Sequence, residues 1–184
     1  MKREGHYGTT LILGALWGLG LGLPSGLIAT VLMLGATHVP DQDQYIPANI
    51  IGHRGPTHSV LFALVVAFVT ASTVTYPLHV GQRLAVEHEM LSSTVMVPTM
   101  VWMFLVGVVA GSLLTHIATD ALTVGGGFKV KPLWPLSSWT PALGLCTADD
   151  VRWNTALLSS GITIFVAVIV HELYYSVLPA LTGL

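Results

Sequence analysis

Seven side chains that are able to bind a metal ion flank the apolar segments of this chain. They are His6, Asp41, Asp43, His53, His58, His116 and Asp120. His6 precedes the first apolar segment, and Asp41 and Asp43 follow the second. His53 and His58 begin the third segment, and His116 and Asp120 end the fourth. In an up-and-down helical bundle these four points fall on one side, so ligands that are far apart in sequence would meet, as a metal site requires.

The pair in the fourth segment has the spacing of one helical turn. His116 and Asp120 are four residues apart, so they share a helix face, with Ser112 one turn earlier. An imidazole and a carboxylate in this arrangement can bind one ion, or act as a ligand and its orienting partner. The alternative is a hydrogen bond that only packs the helix. Ionisable residues inside a hydrophobic span are costly and usually functional, which favours the metal site.

Two histidines five positions apart, His53 and His58, flank a glycine-proline turn. Pro56 and Thr57 are typical of the start of a helix, so we expect His58 on the first turn of the third helix and His53 in the loop before it. Arg54 lies beside them, and an arginine recognises phosphate or carboxylate through two parallel hydrogen bonds. The alternative is a polar loop whose Arg54 meets lipid headgroups.

Asp41 and Asp43 follow a proline at the end of the second segment. Two such carboxylates can bind one ion, bridge two ions, or divide into a ligand and a general base. A solvated turn is the alternative. A lone histidine such as His6 is usually noncatalytic unless other ligands join it, and we interpret His38 as an interfacial histidine.

The composition indicates a membrane protein. Of the 184 residues, 53% are hydrophobic and only 9% are charged, whereas a soluble domain carries about 25% charged residues. The net charge of −2, without a basic patch, gives no sign of nucleic-acid binding. The single cysteine excludes an internal disulfide and cannot by itself form a zinc–thiolate site.

Five apolar segments predict an all-α membrane bundle that forms one domain over residues 1–184. A helix needs roughly 20 apolar residues to span a bilayer, and the segments cover about 7–23, 26–37, 58–76, 95–122 and 154–178. The second is short, so it is tilted, half-inserted, or a continuation of the first with a kink at Pro24. The run after Lys2 and Arg3 is also compatible with a cleaved signal peptide.

Small residues and charges refine this picture. Glycines spaced four apart (Gly14, Gly18 and Gly22; Gly107 and Gly111) predict close helix packing or a homo-oligomer.

The side with the metal-binding residues carries Lys2, Arg3, Arg54, Lys129, Lys131 and Arg152, and the other side carries only Arg83. Because such an excess marks the cytoplasmic side, we expect an integral protein of the plasma (inner) membrane whose site-bearing end is cytoplasmic. We interpret His79, His88, His171 and Glu172 as polar anchors at the opposite end, and residues 125–127 as a glycine turn.

Five motifs resemble a known family. Glu-Gly-His at 4–6, Val-Pro-Asp-Gln-Asp at 39–43, Gly-His-Arg-Gly-Pro-Thr-His-Ser at 52–59, Leu-Thr-His-Ile-Ala-Thr-Asp at 114–120 and Pro-Leu-Trp-Pro at 132–135 occur in the order seen in the YdjM family. Its members are described as inner-membrane-associated, metal-dependent hydrolases, and the family is distantly similar to zinc-dependent phospholipase C and single-strand nucleases. The resemblance implies zinc ligands at His6, Asp41 or Asp43, His58 or His53, His116 and Asp120. The family commonly has a histidine where this chain has Gln44, so we expect one or two ions.

Together these features predict a membrane-bound, metal-dependent hydrolase. Its substrate would be a phosphoester or other ester of a lipid or another amphiphilic small molecule. Asp43 or His53 would act as the base or as a further ligand, and Arg54 would steady an anionic group. The alternatives are a membrane protein that binds or transports metal ions, and a noncatalytic membrane scaffold.

Overall fold

The computed structural model describes residues 1–47, 49–88, 90, 97–124 and 129–179. It confirms an all-α fold with five helices: α1 (Arg3–Leu21), α2 (Leu23–Ala36), α3 (Val60–Glu87), α4 (Val97–Ala121) and α5 (Val151–Glu172). Short 3-10 turns at Pro40–Tyr45 and Pro56–His58 separate α2 from α3, and a π-helical stretch, Leu173–Val177, extends α5. The predicted glycine turn at 125–127 and the predicted start of the fourth segment at residue 95 lie outside the described residues.

Within the described residues, four helical stretches are long and apolar enough to cross a membrane, namely Leu23–Tyr45, Val60–Glu87, Pro98–Ala121 and Val151–Ser176. The first of them combines α2 with the 3-10 turn that follows it. Large apolar side chains on their surfaces are exposed, such as Phe68 at 57% and Met103 at 64%. Exposed apolar faces on long helices are what a bilayer covers, so the predicted membrane bundle is confirmed.

α1 packs against α2, α4 and α5, whereas α3 packs against α4. A methyl group on Gly8 would overlap the backbone of α5, and one on Gly161 of α5 would overlap the backbone of Gly8. A methyl group on Gly14 would overlap Thr30 of α2. Among the glycines named from the sequence, Gly14 confirms the predicted close packing within the chain, Gly22 has open space around it, and a homo-oligomer stays a prediction.

α2 folds back along α1. Gly22, with a φ of 80°, makes the turn between them, a conformation that glycine adopts without the steric cost of a side chain. Pro24 lies in the first turn of α2, where its missing N–H is harmless. The Cα of Gly18 then lies directly against Gly26, so α2 is not a kinked continuation of α1, and that alternative is wrong.

α3 begins later than the sequence pattern predicts. Ser59 caps it by accepting a hydrogen bond from the backbone N–H of Phe62 at 3.1 Å, and the helix starts at Val60. The prediction that His58 projects from the first turn of this helix is wrong, because Pro56–His58 form a separate 3-10 turn. That turn places His58 just before α3, next to the end of the helix pair in which Ala63 of α3 packs against α4.

Candidate metal centre

Four potential ligands converge at one end of the bundle. Asp41, His58, His116 and Asp120 each offer a ligand atom, and these atoms all lie within 4.8 Å of one another. The first comes from the 3-10 turn after α2, the second from the turn before α3, and the last two from the end of α4. The predicted meeting of ligands from widely separated segments is thus found for these residues.

The spacing of the four groups matches the coordination shell of a small cation. Nε2 of His58 lies 3.6 Å from Oδ1 of Asp41 and 3.5 Å from Oδ2 of Asp120. Nε2 of His116 lies 3.5 Å and 3.8 Å from the same two oxygens. Ligands bound to zinc at about 2.1 Å in a tetrahedron lie about 3.4 Å apart. The two imidazoles and two carboxylates are therefore close enough together to hold one metal ion.

The histidine nitrogens at this centre are buried and unpaired. Nε2 of His58 and both ring nitrogens of His116 have no hydrogen-bond partner among the described residues. Buried polar atoms in folded proteins are nearly always satisfied by a partner, by water or by an ion. A cation at the middle of the group would satisfy both Nε2 atoms at once.

A shell of hydrogen bonds orients His58. The Thr57 hydroxyl donates to Oδ2 of Asp43 at 2.6 Å, and its oxygen lies 3.1 Å from Nδ1 of His58. Because the hydroxyl proton is directed at the carboxylate, the hydroxyl oxygen accepts a hydrogen bond from the Nδ1–H of His58. This leaves the lone pair on Nε2, the nitrogen that faces Asp41 and Asp120.

Asp43 organises the loop around this histidine. Besides Thr57, it accepts the backbone N–H of Arg54 at 3.0 Å, and its Oδ1 lies 2.7 Å from Nδ1 of His53. Its Oδ2 lies 3.4 Å from Nδ1 of His58, on the side of the ring away from the four ligand atoms. Asp43 and His53 are thus close to the centre, but they lie on the Nδ1 side of His58 and not on the Nε2 side that faces Asp41 and Asp120.

The Arg54 guanidinium faces Asp120. It donates to Oδ1 of Asp120 at 2.9 Å and to the Thr123 hydroxyl at 3.3 Å, and the residue is buried. Its φ of 60° is unusual for a residue with a side chain and turns the loop sharply at this point. The Met1 amino group also contacts Oδ1 of Asp120. These cations hold Oδ1 and leave Oδ2 for the centre.

His6 lies beside the group of four. Its ring stacks on that of His116 with centroids 3.8 Å apart, and its Nε2 lies 3.4 Å from Oδ1 of Asp120. Both of its nitrogens are buried without a hydrogen-bond partner in the described part of the chain. Burial lowers the pKa of His6 to about 4, so its imidazole is neutral and carries a free lone pair.

His38 belongs to the same surroundings, which its interpretation as an interfacial histidine did not anticipate. Its ring lies 6.4 Å from that of His6 and 6.5 Å from that of His116, edge-on to both. Its Nδ1 lies 3.9 Å from Asp41. The sequence signal was its spacing of three residues from Asp41, which a helical turn brings to one side.

The electrostatics of the centre favour a cation. Burial alone would lower the pKa of His58, but the neighbouring carboxylates of Asp120 and Asp41 outweigh burial and raise its pKa above the ordinary value. The same carboxylates that favour a proton on His58 favour a metal ion, which competes with protons for its ligands.

At the opposite end of the bundle the polar residues are dispersed. Nδ1 of His171 lies 3.3 Å from Glu172, to which the Ser176 hydroxyl donates at 3.1 Å, and His79 and His88 are exposed. Among the described residues, the group of four on the first end is the one cluster of histidines and acidic residues with the spacing of a metal site.

Helices that are apolar enough to span a bilayer, together with a buried His–Asp cluster at one end, define a helical membrane protein with a candidate metal site. The chain matches the YdjM inner membrane protein family over residues 1–182, and it belongs to that family. No curated protein and no solved structure matches the chain.

Proposed function

We propose that this protein is an integral membrane hydrolase that uses a divalent metal ion, with zinc as the expected metal. Its substrate is a phosphoester, or another ester, of a lipid or amphiphilic molecule at the cytoplasmic face of the membrane. The observation that supports the proposal is the group of two imidazoles and two carboxylates whose ligand atoms lie within 4.8 Å of one another and whose buried Nε2 atoms have no hydrogen-bond partner among the described residues.

The four residues of the group, Asp41, His58, His116 and Asp120, would hold the ion. A divalent ion bound there lowers the pKa of a coordinated water toward about 7 and polarises a phosphoryl oxygen. Asp41 is the one partly exposed member, with a side-chain exposure of 22%. Access from its side supports a centre that meets a substrate. One ion fits the group of four, and a second ion would use His6.

His53 is the best-placed general base. Its side chain is 27% exposed, and it is held by the fully buried Asp43 at 2.7 Å. A carboxylate that fixes the tautomer and orientation of an imidazole is the arrangement that prepares histidine for proton transfer. Its ring lies 5.6 Å from that of His58. We therefore assign proton transfer to His53 and a positioning role to Asp43.

An apolar cavity supports a lipid substrate. It has a volume of about 360 Å³ and lies between the start of α3 and the segment 132–136. Val60, two residues after His58, contributes to its wall, as do Leu61 and Leu64, which are about half exposed on a membrane-spanning helix. Because this side of α3 meets the lipid phase, we propose that an acyl chain of the substrate occupies the cavity.

The unpaired imidazoles argue against the noncatalytic scaffold. A scaffold that only fastened loops would direct the histidines into hydrogen bonds with the carboxylates. At 3.5–3.8 Å the Nε2 atoms of His58 and His116 stand apart from Asp41 and Asp120 by more than the usual hydrogen-bond length. That spacing leaves room between the groups for an ion.

Metal analysis combined with an ester assay tests the proposal. The protein is purified in detergent, and bound metal is measured in the wild type, in His58→Ala and in His116→Ala, with exposed His79→Ala as the matched control. We expect the wild type and the control to carry metal and to cleave a soluble phosphodiester or a phospholipid in mixed micelles. Both site variants should lose metal and activity.

Other results would contradict the proposal. Metal retained by the wild type without turnover of any ester would favour a metal-binding or transport protein, and flux in proteoliposomes would identify the latter. A wild type that binds no metal, together with a double variant of His58 and His116 that only melts at lower temperature, would favour the scaffold.

A further inference from the structure

A polar cavity adjoins the metal centre on the side of Asp41. It has a volume of about 250 Å³. The residues that line it include Lys2, Arg3, His38, Asp41, Gln42 and Tyr45. Asp41 is therefore shared between the lining of the cavity and the group of four ligands.

Exposure indicates that this cavity is the way into the centre. The side chain of Asp41 is 22% exposed, whereas His58 and His116 are fully buried and Asp120 is 1% exposed. Asp41 is therefore the member of the group that a molecule from outside can reach, and Asp41 also lines the cavity.

The cavity carries the cations that an anionic substrate requires. Lys2 and Arg3 are exposed and line it side by side. The guanidinium of Arg54, for which the sequence predicts contact with an anionic group, donates hydrogen bonds to Asp120 and Thr123. Lysine binds phosphate as a compact charge, and arginine binds it through paired N–H groups.

We propose that this cavity binds the phosphate group of the substrate, with Lys2 and Arg3 as its anion-binding residues. The inference rests on the proposed hydrolase and names its substrate class as an anionic phosphoester. The nearby Gln42 and Tyr45 side chains offer neutral hydrogen-bond donors to the same group. The phosphate would enter with its negative oxygens toward the two cations and its phosphorus toward Asp41.

Phosphate binding provides a test that does not depend on turnover. Binding of inorganic phosphate to the metal-loaded protein in detergent is measured by calorimetry for the wild type and for the double variant Lys2→Gln/Arg3→Gln. Losing two charge-assisted contacts should weaken binding about tenfold or more at low salt. The double variant Lys131→Gln/Arg152→Gln removes the same charge from exposed positions outside the cavity and should bind like the wild type.

A charge-preserving variant and a salt titration test whether the positive charge at positions 2 and 3 is what binds phosphate. The charge-preserving variant Lys2→Arg/Arg3→Lys should bind phosphate within about threefold of the wild type, because a cation remains at each position. Raising the salt concentration should weaken binding in the wild type. Equal affinity in the wild type and in Lys2→Gln/Arg3→Gln, an equal loss in the control, or no binding to the wild type would each overturn the inference.

The source of the phosphate is resolved by displacement. Vesicles that contain phosphatidic acid are compared with vesicles of phosphatidylcholine alone, and soluble glycerol phosphate is added in a separate arm. Displacement of bound phosphate by either phosphomonoester supports the site and identifies its source, and displacement by neither overturns it. Phosphate binding that needs Lys2 and Arg3, in a protein that holds metal but cleaves no ester, would uphold this site and contradict the hydrolase.

Discussion

The imidazole of His6 lies flat against that of His116, with the ring centroids 3.8 Å apart and the planes inclined by 7°. The stack joins the start of α1 to the end of α4, the helix that carries two of the four candidate ligands. Nε2 of His6 is also 3.4 Å from Oδ1 of Asp120. The His6 ring could therefore either pack against His116 or coordinate a metal ion. These two roles can be separated by substitution.

Replacing His6 by phenylalanine keeps a flat ring on His116 and removes both nitrogens. If His6 serves the metal centre, His6→Phe should lower metal affinity about 10- to 100-fold, the range found for residues around a metal site. The melting temperature in detergent should change little, because the stacked ring is retained. Competition with a metal chelator measures the affinity.

The exposed His79→Phe is the matched control for this prediction. Its metal affinity and melting temperature should both equal those of the wild type. If His6→Phe kept the wild-type metal affinity and only the truncation His6→Ala lowered the melting temperature, His6 would be a packing residue and no ligand.

The Thr57 hydroxyl should strengthen metal binding through its hydrogen bond to His58. Thr57→Val keeps the shape of the side chain but removes the oxygen that bridges Asp43 and His58. A hydrogen bond to a charged group contributes about 1.5–3 kcal/mol. We expect metal affinity to fall about 10- to 100-fold in this variant, with the helical content unchanged by circular dichroism.

Thr57→Ser restores the hydroxyl and should restore metal affinity to near the wild-type value. Equal affinities in the valine and serine variants would mean that His58 does not need this bridge. The orienting role of Asp43 would then lose its main support.

The convergence of the ligands was predictable from the sequence because it depends only on topology. Helices that alternate in direction bring the end of α2, the start of α3 and the end of α4 together, and with them Asp41, His58 and His116. The i, i+4 pairing with Asp120 follows from the helical repeat in the same way. No knowledge of side-chain orientation is needed for either step.

The roles of the loop residues were not predictable, because they depend on the path of the backbone. The φ of 60° at Arg54 turns its side chain toward Asp120, and no sequence pattern marks this position, where glycine would be usual. The role of Asp43 could not be predicted from sequence spacing for a similar reason. Asp41 and Asp43 lie in the same 3-10 turn, but their side chains have different partners. The Asp43 carboxylate accepts a hydrogen bond from Thr57, and the sequence spacing does not reveal that contact.

The contact between α1 and α5 should be sensitive to a single methyl group. In Gly161→Ala the new methyl would overlap the backbone of Gly8, and such overpacking costs about 1–3 kcal/mol. We expect a lower melting temperature in detergent and, because α1 carries His6, weaker metal binding. The control is Gly81→Ala, a helical position with open space around it, where alanine should be neutral or stabilise by up to about 1 kcal/mol.

The orientation of the bundle can be tested by labelling single cysteines. Ser138 is exposed at the site-bearing end and His88 at the opposite end, so Ser138→Cys and His88→Cys are made with buried Cys146 replaced by serine. Because the excess of Lys and Arg marks the cytoplasmic side, a membrane-impermeant maleimide should label only His88→Cys in right-side-out vesicles. Both variants should react after solubilisation in detergent, which shows that each thiol is accessible. Labelling of Ser138→Cys alone in intact vesicles would place the metal centre on the outer side and contradict a cytoplasmic substrate.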